Sequence, residues 1–356
     1  MNVRSLFLLA ILCGLYAPAP LRAQGFAGLG SDANGFAAVV PGREIVFPRD
    51  FGTHPDFRIE WWYLTANLQT ANGQQLGVQW TLFRQATKPG TPPSGWSRNE
   101  FWMGHAALTT NTQHFFAEKL ARGGTGQAGA KPAPFEAWID DWFFTEKGQH
   151  ADATKQFQVS AAGNGFGYSL DLEEKGQPIL HGEGGFSLKS DQGQASYYFS
   201  HPFLDVNGVV TIEGETLQVT GTAWLDREWS SQPLATNQLG WDWFSLRLDS
   251  GEKLMVFRLR DTNGGTFLSG TWITPDGEAL PLASSDIKIE PLASSTDSGR
   301  KIPTRWSVVV SSKALDITVT PLNPNSWMAT SVAYWEGPVL AKGSHSAQGY
   351  LEMTGY

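Results

Sequence analysis

Ionisable side chains lie among aromatic residues in four short segments of the sequence: 58–63, 101–108, 224–229 and 241–243. In the third segment Asp226 and Glu228 are two residues apart, and residues at that spacing share one face of a strand. A carboxyl group next to an indole is removed from water, which raises its pKa and lets it act as a general acid. Asp226 and Glu228 are therefore the candidate catalytic residues. The candidate ligand-binding residues are Glu60, Trp61, Tyr63, His105, Trp224, Trp229, Trp241 and Trp243.

A structural role is the alternative for the charged residues among them. Asp226 could form an ion pair with Arg227 or another arginine, and Glu60 could pair with Arg58 or Arg84. For any single residue the ion pair is the favoured interpretation, since buried charges in proteins are usually paired. Several such residues in one aromatic-lined cavity would nevertheless favour a ligand site.

The standard catalytic and metal-binding motifs are missing from the sequence. It has no Gly-x-Ser-x-Gly elbow, no His-Glu-x-x-His pair, no phosphate-binding loop and no cysteine nucleophile. The seven histidines are scattered, and none are at the i, i+2 or i, i+4 spacing that zinc sites often use. We therefore predict no metal and no cofactor. A Ser-His-Asp triad stays open, because its members need be close only in space.

The composition restricts the class of partner. The 356 residues include 34 acidic side chains against 26 lysines and arginines, a net charge of −8. A nucleic-acid partner needs clustered basic residues to neutralise its phosphates, so this charge balance argues against one. Apolar residues make up 41% and charged residues 17%, which is typical of a folded chain long enough for two domains.

Residues 1–23 have the pattern of a secretory signal peptide. Arg4 precedes an apolar run of 12 residues, and Ala23 ends a segment of the type that a signal peptidase recognises. The run is too short for a bilayer, and the residue before Cys13 is not small, which argues against lipoprotein anchoring there. Cleavage after Ala23 would remove the one cysteine. We therefore predict a soluble, periplasmic or secreted protein without disulfides.

The rest of the chain predicts an all-β protein. Short runs of β-branched and aromatic residues alternate with turn signals such as Asn-Gly at 72–73, and helical periodicity is absent. Within 217–229, Asp226 and Glu228 share a face with Trp224, as expected for the interior of a barrel that holds a small ligand. The predicted organisation is a flexible arm at 24–43, an N-terminal barrel at 44–228 and a C-terminal barrel at 229–356.

A weak internal echo is consistent with two similar domains. The segment Trp-Trp-Tyr-Leu at 61–64 resembles Trp-Asp-Trp-Phe at 241–244, and each precedes a glycine turn and a strand that ends in arginine. Duplication and chance similarity between aromatic hairpins explain this echo about equally well. The position of Asp226 near the predicted junction indicates a site between the domains or at the mouth of the first.

An ordered series of motifs resembles the AttH-like family, which includes the carotenoid 1,2-hydratases (hydroxyneurosporene synthases). The similarity extends from about Arg43 to Tyr356, nearly the whole mature chain. The motifs are HPDFRIEWWYLTANL at 54–68, QWTLFR at 79–84, GHAALT at 104–109, WLDREWSSQ at 224–232, GWDWF at 240–244, YWEG at 334–337 and GYLEMTGY at 349–356.

The resemblance implies a fold of two lipocalin-like (calycin-type) antiparallel β-barrels, in agreement with the two-domain, all-β prediction. Family members that act on carotenoids add water to a terminal isoprenoid double bond without a cofactor, and their acidic residue corresponds to Asp226. Other members resemble partners of ABC-type export systems, which implies binding of a lipid or another apolar molecule. Members are also described as hydrolases, but no nucleophile motif in this chain supports that activity.

Three functional hypotheses follow. The favoured one is an exported protein that binds an apolar lipid or isoprenoid and serves an ABC-type transporter. The alternative is a hydro-lyase in which Asp226 protonates an alkene, Glu228 or His105 orients water, and tryptophan faces stabilise the carbocation. In the third, the protein has a purely structural or assembly role, and the tryptophan pairs pack the core. A carrier and an enzyme need the same cavity, so the sequence does not separate them.

Overall fold

The chain is all-β in the computed structural model, which describes residues 26–90, 93–149 and 154–356. The predicted signal peptide, with Cys13 and the cleavage site, lies outside the described residues. No helix in the described part of the chain has the length and apolar character needed to cross a membrane. The helical elements found there are 3₁₀ turns at Phe26–Gly28, Arg49–Phe51, Gly95–Ser97, Ser284–Asp286 and Ser311–Lys313.

The first sheet forms a nearly closed barrel of 13 antiparallel strands, counted within the described residues. These are β1 (Ile59–Thr70), β2 (Gln75–Ala86), β3 (Glu100–Thr109), β4 (His114–Arg122), β5 (Ala128–Pro132), β6 (Phe135–Ile139), β7 (Trp142–Gln149), β8 (Lys155–Gly163), β9 (Phe166–Glu174), β10 (Ile179–Leu180), β11 (Phe186–Leu188), β12 (Ala195–Ile212) and β13 (Glu215–Ser230). The main order is β4-β3-β2-β1-β13-β12-β9-β8-β7-β6-β5, with β10 and β11 paired to β12.

The second sheet forms a half-barrel of ten strands in the same described part of the chain. These are β14 (Gln238–Leu248), β15 (Lys253–Asp261), β16 (Thr266–Ile273), β17 (Ala279–Leu282), β18 (Ile287–Asp297), β19 (Arg300–Val310), β20 (Leu315–Pro321), β21 (Trp327–Met328), β22 (Tyr334–Gly343) and β23 (Ala347–Met353). The order is β17-β16-β15-β14-β23-β22-β20-β19-β18, with β21 paired to β22. The predicted lipocalin-like all-β fold is confirmed.

The first hairpin illustrates how local sequence determines this topology. Strands β1 and β2 pair in antiparallel register and are joined at Asn72-Gly73, as the sequence predicts. Gly73 has a φ of +84°, which residues with a side chain rarely adopt, and its N–H donates to the Thr70 carbonyl at 2.9 Å. The turn thereby aligns two strands that carry Trp61, Tyr63 and their neighbours.

The interior of the first barrel is a packed apolar core. Along β13, Ala223 and Leu225 face that core together with buried residues such as Trp62 and Trp80, whereas Asp226 belongs to the opposite face. The alternation predicted for 217–229 is therefore present. The prediction that the Asp226 face lines a barrel interior is wrong, because large aromatic and aliphatic side chains already fill that interior.

The two similar segments, 61–64 and 241–244, lie on strands at equivalent positions in the two sheets. Strand β1 lies between β2 and the last strand of its sheet, β13, just as β14 lies between β15 and β23. Next to the tryptophans in each segment, a buried carboxylate forms an ion pair with an arginine on the neighbouring strand. Glu60 pairs with Arg84 in the first sheet, and Asp242 pairs with Arg258 in the second.

The chain crosses from one sheet to the other through residues 231–237, so the predicted boundary after 228 falls two residues inside β13. The described part of the predicted flexible arm forms hydrogen bonds with the rest of the protein. The Tyr197 hydroxyl donates to the Val40 carbonyl at 2.9 Å, and the Arg58 guanidinium donates to the carbonyls of Leu29 and Ser31, each at 3.1 Å. Buried side chains therefore fix the backbone of this segment.

Candidate active site

A cavity of about 160 Å³ lies between the outer faces of the two sheets. Its apolar and aromatic wall comes from both sheets and from segments near the N-terminus and between the sheets: Ala27, Leu29, Ile59, Trp61, Tyr63, Phe83, Phe101, Met103, Tyr198, Pro233, Leu234, Trp241, Trp243, Phe257, Leu259, Val332 and Tyr334. The polar groups that line it are Gln85, His105, Lys189, Asp226, Glu228, Glu352 and Thr354.

In the first sheet, the pairing of the strands places five residues side by side in one row across the sheet. His105 on β3 pairs with Thr81 on β2, which pairs with Tyr63 on β1. Tyr63 in turn pairs with Asp226 on β13, and Asp226 pairs with Ser200 on β12. Cross-strand partners point to the same side of a sheet, so residues far apart in sequence meet at the cavity.

The second sheet supplies the facing row. Glu336 on β22 pairs with Glu352 on β23, which pairs with Trp243 on β14, and Trp243 pairs with Phe257 on β15. The Tyr63 hydroxyl donates to Glu336 Oε1 at 2.9 Å and so links the two rows. The cavity is therefore built at the contact between the sheets.

Asp226 is buried, with 3% of its surface exposed. Burial raises the pKa of its carboxyl to about 7, although hydrogen bonds from Ser200 and Trp224 oppose the rise. The Trp224 indole N–H donates to Oδ1 at 2.8 Å, and the Ser200 hydroxyl donates to the same oxygen. Arg227, the predicted ion-pair partner, projects to the opposite face and binds Glu60. Asp226 can therefore hold a proton near neutral pH.

Glu228 lies on the same face of β13 in a different environment. The Lys189 ammonium group is 2.9 Å from its Oε1, and the Ser196 hydroxyl donates to the same oxygen. One strand face thus presents a carboxyl that retains its proton and a carboxylate that is ion-paired.

Two further carboxyl groups come from the second sheet, and the sequence analysis missed both. Burial raises the pKa of Glu352 to about 7, and the Trp241 indole donates to its Oε1 at 2.7 Å. Burial also raises the pKa of Glu336 well above its usual range. A sequence signal for Glu352 existed, because Tyr-Leu-Glu at 350–352 repeats the aromatic-Leu-acid order of 224–226 on the equivalent strand.

Seven of the ten predicted site residues line the cavity: Trp61, Tyr63, His105, Asp226, Glu228, Trp241 and Trp243. Trp224 lies beside Asp226 and contacts its carboxyl group through the indole N–H. Glu60 and Trp229 do not line the cavity, since they lie on the faces of β1 and β13 that point into the first barrel.

Glu60 is the centre of a buried ion-pair network. Its carboxylate accepts from Arg84 Nε at 2.6 Å, from Arg227 and from the His54 backbone N–H at 3.0 Å. Trp229 stacks on the His54 ring with a centroid distance of 3.8 Å. These contacts agree with the structural alternative for Glu60, because every charge in the network has a partner of opposite sign.

His105 is buried between two hydrogen-bond partners. Nδ1 is 3.0 Å from the Tyr334 hydroxyl, and Nε2 is 3.0 Å from Glu118 Oε1. Burial lowers the pKa of His105, although Glu118 opposes the effect. At the cavity wall the ring is therefore a neutral, fixed group.

In the part of the chain that the structure describes, no group of three or more His, Cys, Asp or Glu side chains has an arrangement suited to a metal ion. The independence from metals and cofactors stays a prediction.

The raised pKa of Glu352 predicts a pH-dependent stability difference. A carboxyl with a pKa raised to about 7 stabilises the fold at low pH, and this contribution is lost as the pH rises through 7. Glu352→Gln does not ionise, so its unfolding free energy relative to wild type should increase between pH 5 and pH 8 by about 2 kcal/mol. Urea unfolding of both proteins at the two pH values measures this difference. A constant difference would show that Glu352 titrates as in the unfolded chain.

Two facing β-sheets of lipocalin-like fold, with an acid-lined apolar cavity between them, define the class of protein. The AttH-like family profile matches residues 38–356, and the chain belongs to that family. The crystal structure of an AttH protein from Nitrosomonas europaea is similar, with 33% identity, a TM-score of 0.79, and coverage of 90% of this chain and 100% of the other.

Kievitone hydratase from Nectria haematococca shares the fold at 14% identity. Its TM-score is 0.65, and the match covers 90% of this chain and 96% of the hydratase. No curated protein sequence matches the chain. The predicted family resemblance is confirmed.

Proposed function

We propose that this protein is a cofactor-independent hydratase that adds water to a carbon–carbon double bond of an apolar molecule, with Asp226 as the acid. The observation that carries the proposal is a mostly apolar cavity containing a carboxyl group whose pKa is raised to about 7. An alkene needs an apolar site, and its protonation needs an acid that is still protonated near neutral pH. The fold shared with a named hydratase adds support.

The reaction can be written with the groups on the cavity wall. Asp226 transfers its proton to one alkene carbon, and the π electrons form the new C–H bond, which leaves a carbocation on the more substituted carbon. The faces of Trp61, Trp241 and Trp243 stabilise this cation by about 0.5–2 kcal/mol each. Water then forms the C–O bond and gives its extra proton to Glu228. Proton transfer back to Asp226 through water completes the cycle.

Isotope labelling tests the proposal. The purified protein is incubated in ¹⁸O-labelled water with isoprenoid alkenes that carry a trisubstituted double bond, dispersed in detergent. We expect a product heavier than the substrate by one labelled water, detected by mass spectrometry. Binding of the alkenes without incorporation of ¹⁸O would contradict the hydratase proposal.

A carrier is the second candidate function, favoured by the apolar residues that form most of the cavity wall. In this proposal the cavity holds a lipid or isoprenoid and performs no reaction. The predicted signal peptide would direct the protein to the periplasm or the exterior, where an ABC-type transporter would be the partner. An intact apolar molecule that co-purifies with the protein, found by mass spectrometry, would favour this function.

Both functions require binding at the aromatic wall. Trp61→Ala removes an indole that lines the cavity, so the affinity for an isoprenoid polyene should fall at least about tenfold. Trp96→Ala is the matched control, since Trp96 is 75% exposed and lies outside the cavity wall. Quenching of tryptophan fluorescence measures both affinities. Equal affinities for the two variants would exclude Trp61 from the binding site.

A further inference from the structure

A chain of hydrogen bonds leads away from the cavity behind Asp226. The Ser200 hydroxyl donates to Asp226 Oδ1, and His181 Nε2 is 2.6 Å from Ser200 Oγ. On the other side of the ring, His181 Nδ1 is 2.9 Å from Thr271 Oγ1. Ser200 lies on β12 of the first sheet and Thr271 on β16 of the second, so His181 joins the two sheets behind the carboxyl group.

The direction of the hydrogen-bond chain follows from Ser200 as the donor to Asp226. Burial lowers the pKa of His181 to about 3, so its ring is neutral and carries one N–H donor and one acceptor nitrogen. If Ser200 donates to Asp226, its oxygen accepts from His181 Nε2–H. Nδ1 is then the acceptor, and the Thr271 hydroxyl donates to it. Each of these buried groups is satisfied in this arrangement.

Oδ1 of Asp226 consequently receives two hydrogen bonds. The Trp224 indole has a donor and no acceptor, so Oδ1 must be the acceptor in that contact. Ser200 occupies the second acceptor position of the same oxygen. A proton bound to the carboxyl group is therefore carried by Oδ2.

We propose that Ser200 and His181 are positioning residues that keep Oδ1 of Asp226 as a double acceptor and so assign the acidic proton to Oδ2. The proposal rests on the proposed function, in which Asp226 is the acid. Neither residue is among those that line the cavity. Their role is to fix which oxygen donates the proton and to adjust how strongly that proton is held.

Removing a donor should change the titration of Asp226 in a defined direction. The Ser200 hydrogen bond stabilises the carboxylate, so Ser200→Ala should raise the pKa of Asp226 further. Hydration requires protonated Asp226, and its rate should therefore fall at high pH. In Ser200→Ala this decline should move to higher pH by about one to two units. His181→Ala should shift it in the same direction by less, because the Ser200 hydroxyl remains.

The effects of other groups on the pKa of Asp226 must be distinguished from the effect of the Ser200–His181 hydrogen bonds. Tyr198 on β12, Glu228 on β13, Glu352 on β23 and Tyr63 on β1 line the same cavity, and Lys189 is ion-paired with Glu228. Tyr198 hydrogen-bonds with both Asp226 and Ser200, so the Ser200→Ala shift is also measured in a Tyr198→Phe background, where it should persist. Ser200→Thr retains the hydroxyl and should restore the wild-type pH profile.

His114→Ala is the control for loss of an imidazole, and His114 is half-buried. His114 is hydrogen-bonded to a threonine hydroxyl, with Nδ1 at 2.9 Å from Thr109 Oγ1, but it does not line the cavity. This variant should leave the titration of Asp226 unchanged. A purely structural role of His181 would lower thermal stability and leave the pH profile in place, which would overturn the proposal.

Carboxyl ¹³C NMR of Asp226 gives a readout independent of turnover. We expect its titration midpoint to rise in Ser200→Ala and His181→Ala, and ¹⁵N NMR to show the Nε2–H form of His181 in wild type both when Asp226 is ionised and when it is protonated. An unshifted midpoint, or the Nδ1–H form under those conditions, would overturn the proposal. A shifted midpoint in a protein that hydrates none of the alkenes would instead contradict the proposed function alone.

Discussion

Asp226→Asn is expected to lower the rate of water addition by about 10²- to 10⁴-fold, the usual contribution of a general acid. The amide keeps the size of the side chain and an oxygen that can accept from Trp224 and Ser200, but it has no acidic proton. Binding of the alkene should stay within a few fold of wild type. Incorporation of ¹⁸O near pH 6.5 measures the rate, and tryptophan quenching measures binding.

Glu352→Gln is the matched comparison, because it neutralises the carboxyl at the equivalent position of the second sheet. We expect a smaller loss of rate than for Asp226→Asn, since the proposed reaction does not use Glu352 as donor. Equal losses would show that the two carboxyl groups act as a pair. A folded Asp226→Asn protein with full activity would remove Asp226 from the mechanism.

Glu60→Gln should lower the unfolding free energy by about 3–5 kcal/mol, because two buried arginines lose their counter-charge. Arg84 and Arg227 are both fully buried and both contact the Glu60 carboxylate. The glutamine has nearly the same shape, so the loss reports charge and not packing. Urea unfolding at pH 7 provides the measurement.

Asp171→Asn is the control for an ion pair at the surface. Asp171 is 3.0 Å from the ammonium group of Lys147, and both side chains are about half exposed. Water and salt screen such a pair, so we expect a change below about 1 kcal/mol. A Glu60→Gln protein as stable as Asp171→Asn would mean that the buried network does not stabilise the fold.

The sequence predicts the strands well because their signals are local. The Asn72-Gly73 turn determines the β1–β2 hairpin, and alternation along β13 correctly separates Asp226 from its neighbours on the other face. The aromatic segments also contain ten of the 24 residues that line the cavity. These features depend on residues close together in the chain, which turn chemistry and a two-residue period describe directly.

Two features depend on distant contacts and escaped prediction. Alternation separates Glu60 from Trp61, but it does not determine which face the barrel closes around, since both faces carry bulky residues. The contribution of Glu352 depends on the packing of the second sheet against the first. A search for the aromatic-Leu-acid order of 224–226 elsewhere in the chain would have identified Glu352 as a candidate.

Asp226 and Glu352 lie where the two sheets are in contact, so proton binding by these residues affects how stably the sheets pack together. Asp226 and Glu352 come from different sheets, and the charge on Asp226 raises the pKa of Glu352. When both lose their protons in alkaline solution, two negative charges repel each other across the contact. Protonation and the packing of the two sheets are then linked equilibria, so we expect the contact between the sheets to be less stable in alkaline solution.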